Sequence, residues 1–137
     1  MGAVLLSDAI ATSIQPGDHA TTFGGGPFVA SVALHVLERL ADPALLAHVR
    51  ESGAFVSAEL QRIAEGTGRI RAVRGVGLLW GIDVHEPAAE IVARARDTGL
   101  LVCTAGEHTV RLVPPLVMSR SDLRRGLEML EASLCTT

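Results

Sequence analysis

Two stretches of this sequence carry residue types that could do chemistry. The first is Gly17-Asp18-His19-Ala20-Thr21-Thr22-Phe23-Gly24-Gly25-Gly26-Pro27. Two adjacent hydroxyls and a run of unhindered backbone amides leading into a helix can hold an anion, a phosphate above all. Free N–H groups and the helix dipole both favour negative charge there. The same composition also makes an ordinary turn before a helix, so the loop by itself does not choose between the two. The second stretch is Thr109-Val110-Arg111-Leu112-Val113-Pro114-Pro115-Leu116. A guanidinium among apolar strand neighbours is costly to bury alone, so Arg111 reads as a structural ion pair or as part of a solvated strand face. Recognition of a substrate carboxylate is the functional alternative, because the planar fork of arginine matches two carboxylate oxygens.

What is missing restricts the chemistry further. All 12 basic residues are arginine and none is lysine. An aldehyde cofactor needs a primary amine to hold it, and a guanidinium that stays protonated cannot substitute. Only the terminal amine could serve. The five histidines, His19, His35, His48, His85 and His108, share no metal-ligand spacing and read as surface or half-buried residues. Asp8, Asp18 and Asp83 offer carboxylates but no paired-acid arrangement. Ser7 and Ser31 lack a nucleophile-elbow context. Cys103 and Cys135 form no CxxC pattern, so a reduced pair is expected. No catalytic group and no metal site emerge from the residues alone.

These candidates need elements to position them. Ala3–Leu6 reads as a short leading strand, and Ser7 or Asp8 as the cap of a helical turn over Ala9–Ile14. Residues 15–26 read as irregular chain, with Pro27 in the first turn of a helix, where its missing amide costs nothing. Val29, Val32, Ala33, Val36, Leu37 and Leu40 share one face of that helix. Asp42-Pro43 ends it and starts a second, whose apolar period runs from Leu45 to Ile63 and stops at Gly66. Beyond it, Ile70–Val73 and Val76–Val84 read as strands joined by Arg74-Gly75, and Pro87–Asp97 as a short helix stopped by Gly99. Leu100–Thr104 and Thr109–Val113 make a second strand pair. Ser119 caps a last helix with Asp122 three residues on and a buried stripe of Leu123, Leu127, Leu130 and Leu134. Trp80 reads as core. The expected fold class is α+β: a small mixed β-sheet covered by helices, preceded by two long helices and the leading strand.

Composition sets outer limits. Nearly half the residues are hydrophobic and a fifth are charged, enough for a packed core at this length. A net charge of −3 with acids and arginines interleaved gives no basic block for nucleic acid and no polybasic patch for a lipid surface. No apolar run approaches the roughly 20 residues that span a bilayer. The apolar Met1–Ile10 stretch lacks a basic flank and a cleavage site, so it does not read as a signal peptide. It opens instead like the middle of a domain. A cytoplasmic protein is expected.

Three ordered motifs then resemble one family. Gly17–Gly25 is similar to the G-x-H-x-[ST]-T-[FY]-G-G-N-P motif of class III aminotransferases, the fold type I group. Val73-Arg74-Gly75-Val76-Gly77-Leu78-Leu79-Trp80-Gly81-Ile82 resembles their V-R-G-x-G-L-x-x-G segment, and Thr109–Leu116 their R-x-x-P-P-L motif. Gly2-Ala3-Val4 matches the P-[IL]-G-A stretch that follows the Schiff-base lysine. The acetylornithine/ornithine type is the nearest flavour.

The resemblance implies a complete enzyme that uses pyridoxal 5'-phosphate to move an amino group between an ω-amino acid such as N-acetylornithine and 2-oxoglutarate, a step of arginine biosynthesis. It implies that Thr22, with Thr21 beside it, binds the cofactor phosphate across a subunit boundary, and that Arg111 lies at the substrate mouth, against a carboxylate of the substrate or of a gating glutamate. It implies that residues 1–27 close the cofactor-binding large domain, 28–66 form connecting helices, and 67–137 the carboxyl-terminal small domain. The family's lysine, its ring-pairing aspartate, its stacking aromatic and its first phosphate loop all precede this segment. The chain alone should therefore be inactive, and a homodimer or a partner chain supplying the lysine is expected. The motif's Asn is Gly26 here, which should loosen the start of the next helix. A stand-alone interaction or anion-binding module is the alternative from another class.

Overall fold

The computed structural model describes residues 2–136. The order of elements is α1 (Asp8–Ala11), α2 (Pro27–Leu40), α3 (Pro43–Thr67), β1 (Ile70–Val76), β2 (Leu79–Val84), α4 (Ala88–Asp97), β3 (Cys103–Thr104), β4 (Thr109–Leu112) and α5 (Arg120–Cys135). The chain divides into two compact units at the Asp42–Pro43 junction between α2 and α3. Proline at the first position of α3 explains the break: its ring forces the preceding residue out of the helical region, while its missing amide is harmless in a first turn.

In the first unit, α1 is a single turn and α2 is the one long element. Ala3–Leu6 forms no strand. Leu5 is fully exposed, and without a neighbouring strand to accept its ladder an extended apolar segment stays coil. The helical turn expected to reach Ile14 ends at Ala11, and Ser7 sits at its cap position without a side-chain bond.

The second unit is built on a four-stranded sheet of order β1-β2-β4-β3 in which every neighbouring pair is antiparallel. The expected mixed sheet is therefore corrected. The α4 crossover does join two strands that run the same way, β2 and β3. They never pair, because β4 lies between them and runs opposite to both. The β1–β2 connection also moves. Arg74 and Gly75 are strand residues, and the turn falls at Gly77-Leu78, where Gly77 has φ +58. Glycine is needed at 75 for a different reason: a Cβ there would stand 2.6 Å from the Trp80 ring. The Trp80 indole donates to the Gly77 carbonyl at 2.8 Å, satisfying its polar end while the ring is buried.

Helices cover one face of this sheet only. Phe55, Val56, Leu60 and Ile63 of α3, Ile91 of α4 and the Leu123, Leu127, Leu130 and Leu134 stripe of α5 form one buried cluster with Ile82, Val84 and Val110. Polar pins hold the layer in register. Arg94 donates to the Ser133 carbonyl and to Glu86, both at 2.8 Å, tying α4 to α5. The Ser119 hydroxyl accepts from the Asp122 amide at 3.1 Å and donates to the Asp122 carboxylate at 2.6 Å, the expected cap of α5.

Gly53 marks the tightest packing of α3. A Cβ there would lie 2.6 Å from the carbonyl oxygen of Gly77, which is backbone and cannot rotate away. Gly53→Ala should therefore destabilise this unit by about 1–3 kcal/mol despite the higher helix propensity of alanine. Urea denaturation of the two chains checks this; an unchanged or raised midpoint would mean that the turn yields freely.

Candidate functional site: a hydroxyl loop and an arginine on the open sheet face

The Gly-rich loop ends in an uncapped helix. Gly26 occupies the cap position of α2 in extended conformation (φ −66, ψ 154) and provides no side-chain acceptor, and Pro27 follows at the first helical position. The amides of Phe28 and Val29 consequently have no acceptor among the described residues. An Asn at 26 would have offered one. Upstream, Asp18 is used locally, its carboxylate accepting from the Gln15 amide at 2.8 Å. The Thr21 hydroxyl accepts from the Gly24 amide at 3.2 Å and keeps its own proton to donate. A Cβ on Gly24 would collide with the Thr21 methyl group, so a side chain there would force Thr21 to shift. Thr22 is exposed, and its hydroxyl makes no hydrogen bond among the described residues. One free hydroxyl, one braced hydroxyl and two free helix amides are suited to an anion.

The second candidate lies in the other unit, on the face of the sheet that helices leave bare. Register places Arg74, Gly81, Arg111 and Cys103 in one row across β1, β2, β4 and β3. Ala72, Asp83 and Thr109 form the adjacent row. A hollow of about 450 Å³ opens on this face, lined by Arg74, Leu79, Gly81, Thr109 and Arg111 among others. Arg74 forms a fork on Asp83, with its second contact at 3.0 Å, and the Thr109 hydroxyl donates to the same carboxylate at 2.6 Å. Arg111 has no carboxylate partner among the described residues; its Nε donates to the Cys103 sulfur at 3.3 Å. The reading of Arg111 as a structural ion pair is thereby excluded among the described residues, and the solvated strand face and the substrate contact remain.

The Arg74–Asp83–Thr109 cluster was not visible as a cluster in the sequence. Period-2 alternation puts 72 and 74 on one face with 81 and 83 and with 109 and 111, but only the register reveals which rows meet. Two of the histidines act as structural staples: His48 Nε2 lies 3.1 Å from the Met118 carbonyl and His108 Nδ1 lies 3.0 Å from that of Glu86. Among the described residues no His, Cys, Asp and Glu group could hold a metal ion, and no helix is long and apolar enough to cross a membrane.

A hydroxyl loop at a helix start and a guanidinium without a carboxylate partner on a bare sheet face are the candidate sites among the described residues. Residues 1–134 match the family model described as aminotransferase class-III. The chain is 41% identical over 131 residues to the mitochondrial acetylornithine aminotransferase of Alnus glutinosa, covering 95% of this chain and 29% of that protein. It is 41% identical over 133 residues to the acetylornithine aminotransferase of Gloeobacter violaceus, covering 96% and 33%. Among solved structures, an ornithine aminotransferase from Plasmodium yoelii superposes with a TM-score of 0.81 at 28% identity, covering 95% of this chain and 35% of that one. An acetylornithine aminotransferase from Elizabethkingia anophelis gives 0.79 at 30% identity, covering 95% and 35%. The chain belongs to the class III aminotransferase family. It spans about a third of the length of these relatives.

Electrostatics give this site a pH signature. The Thr109 hydroxyl first, and the Arg74 guanidinium second, hold the Asp83 carboxyl below its ordinary value near 3.8. A lowered native pKa contributes stability that is present above the ordinary value and is lost as pH falls through the native one. Urea midpoints should drop as pH falls below the ordinary carboxyl value of 3.8, and Asp83→Asn should flatten part of that slope. An identical slope in the variant would show that the Asp83 pairing adds nothing to native stability.

Proposed function

We propose that this chain is the part of a complete class III aminotransferase that contributes a cofactor-phosphate contact and a substrate-carboxylate contact. The complete enzyme transfers an amino group between an ω-amino acid such as N-acetylornithine and 2-oxoglutarate. The observation that carries this reading is the family match over residues 1–134, together with the two sites that the match spans. In this reading residues 1–27 close the cofactor-binding domain, 28–66 connect, and 67–137 form the small domain.

The residues present fit the phosphate end of pyridoxal 5'-phosphate. The Thr22 hydroxyl and the Phe28 and Val29 amides are uncommitted donors at a helix start, and the Gly24–Thr21 contact shapes the loop around them. When bound, this cofactor supplies an aldehyde to capture an amino group and a conjugated ring to take up electrons. Thr22 holds the phosphate, with Thr21 bracing the loop beside it, and orients the cofactor from its far end. In this reading the contact lies across a subunit boundary, and the working form is a homodimer or a pairing with a chain that brings the lysine. Arg111 takes a carboxylate of the substrate, either of the amino donor or of the 2-oxo acid, and fixes its approach. No residue of this chain can hold the aldehyde except the terminal amine, since it has no lysine. The segment alone is inactive, and a cytoplasmic setting suits the reading.

In the complete enzyme, Thr22→Ala should weaken cofactor retention by about 1.5–3 kcal/mol, the value of one hydrogen bond to a charged group. Equilibrium dialysis of the cofactor measures this, and undiminished retention would remove Thr22 from the site. Arg111→Lys should raise the KM of the carboxylate substrate while leaving cofactor affinity intact. Full activity in that variant would reduce Arg111 to a solvated strand residue.

A further inference from the structure

The open sheet face holds two guanidiniums that are treated differently. Arg74 is neutralised, its fork closed on Asp83, whose carboxylate also accepts from Thr109. Arg111 stands in the same row as Arg74, separated from it by Gly81 on β2, a residue with no side chain to offer, and with Cys103 on its other side on β3. The nearest acid on the β3–β4 turn, Glu107, lies 3.8 Å from the ring of its neighbour His108. Cys103 makes two contacts with Arg111. Its sulfur accepts from Nε at 3.3 Å, and its thiol points to the Arg111 carbonyl at 3.9 Å.

A sulfur is a weak, uncharged acceptor. It can orient a guanidinium without neutralising it, which a carboxylate in the same place would do. With Nε–H turned to the sulfur, the two Nη groups form the free edge of the fork. That edge presents two parallel donors, the geometry that a carboxylate accepts in bidentate fashion. We infer that Cys103 is the positioning residue for Arg111: it holds the guanidinium by Nε, across the β3–β4 pair, with its charge unspent and its Nη edge presented to a carboxylate ligand. The inference deepens the carboxylate reading of Arg111 and depends on it for its functional sense, although the Cys103–Arg111 contact itself does not. Cys103 is exposed on a two-residue edge strand, so its replacement leaves the core untouched.

The first arm of the test uses this chain itself, with nitrogen-15-labelled arginine and solvent-exchange measurements on the Nε–H groups. Arg111 Nε–H should exchange about two- to fivefold more slowly than that of Arg96, whose side chain makes no hydrogen bond among the described residues. Cys103→Ala should abolish the difference, and Cys103→Ser, which keeps an acceptor, should retain part of it. Equal rates for Arg111 and Arg96, or no change in Cys103→Ala, would overturn the positioning role. The second arm uses the complete enzyme. Cys103→Ala should raise the KM of the carboxylate substrate about two- to tenfold with kcat and cofactor retention unchanged, and Cys103→Ser should recover most of it. A KM unmoved by Cys103→Ala while Arg111→Lys still raises it would overturn the inference and leave the carboxylate reading standing. A KM moved by neither variant would overturn the carboxylate reading, and the functional sense of the inference with it.

Discussion

The sheet is one-sided, and most of what this chain can do follows from that. Ile82, Val84 and Val110 alternate toward α3, α4 and α5, and the helices bury that face in a single apolar cluster. Alternation then leaves Arg74, Asp83, Thr109, Arg111 and Cys103 on the other side. A one-residue slip of β4 would put Arg111 into the core and Val110 into water, so the hydrophobic face fixes the register and the register fixes the site. The apolar rim of the open face, Val76, Leu79 and Val113, is exposed as well.

The first unit works by the opposite principle. Among the described residues its loop is defined by what is left unpaired: no side-chain cap on α2, no partner for the Thr22 hydroxyl, and a proline where an amide would be superfluous. A helix start with free donors is destabilised on its own and stabilised by whatever anion it meets.

Much of this was legible in the sequence. Leu123, Leu127, Leu130 and Leu134 announced the buried face of α5 by their spacing alone, and Ser119 with Asp122 announced its start. Pro27 and Pro43 fixed two helix starts because proline constrains the chain locally. Misreadings arose where a tertiary partner decides. Ala3–Leu6 has strand composition but finds no strand to pair with. Arg74-Gly75 reads as a turn, yet Asp83 claims the arginine and Trp80 claims the space over the glycine. The antiparallel sheet could not be read either, since the insertion of β4 between β2 and β3 is a long-range event. The motifs around Thr22 and Arg111 were visible as candidates. The neutral partner of Arg111 was not, because Cys103 lies eight residues away in sequence and beside it only through the β3–β4 register.

The central claim is that Arg111 is an unneutralised guanidinium on the open face, kept for a carboxylate, while its neighbour Arg74 is already spent on Asp83. Arginine modification by phenylglyoxal, mapped by mass spectrometry in the complete enzyme with and without its carboxylate substrate, tests this most directly. The expected result is rapid modification of Arg111 that the substrate suppresses, with slower modification of Arg74 that the substrate does not change. Equal reactivity of the two arginines, or no protection of Arg111 by substrate, would contradict the account.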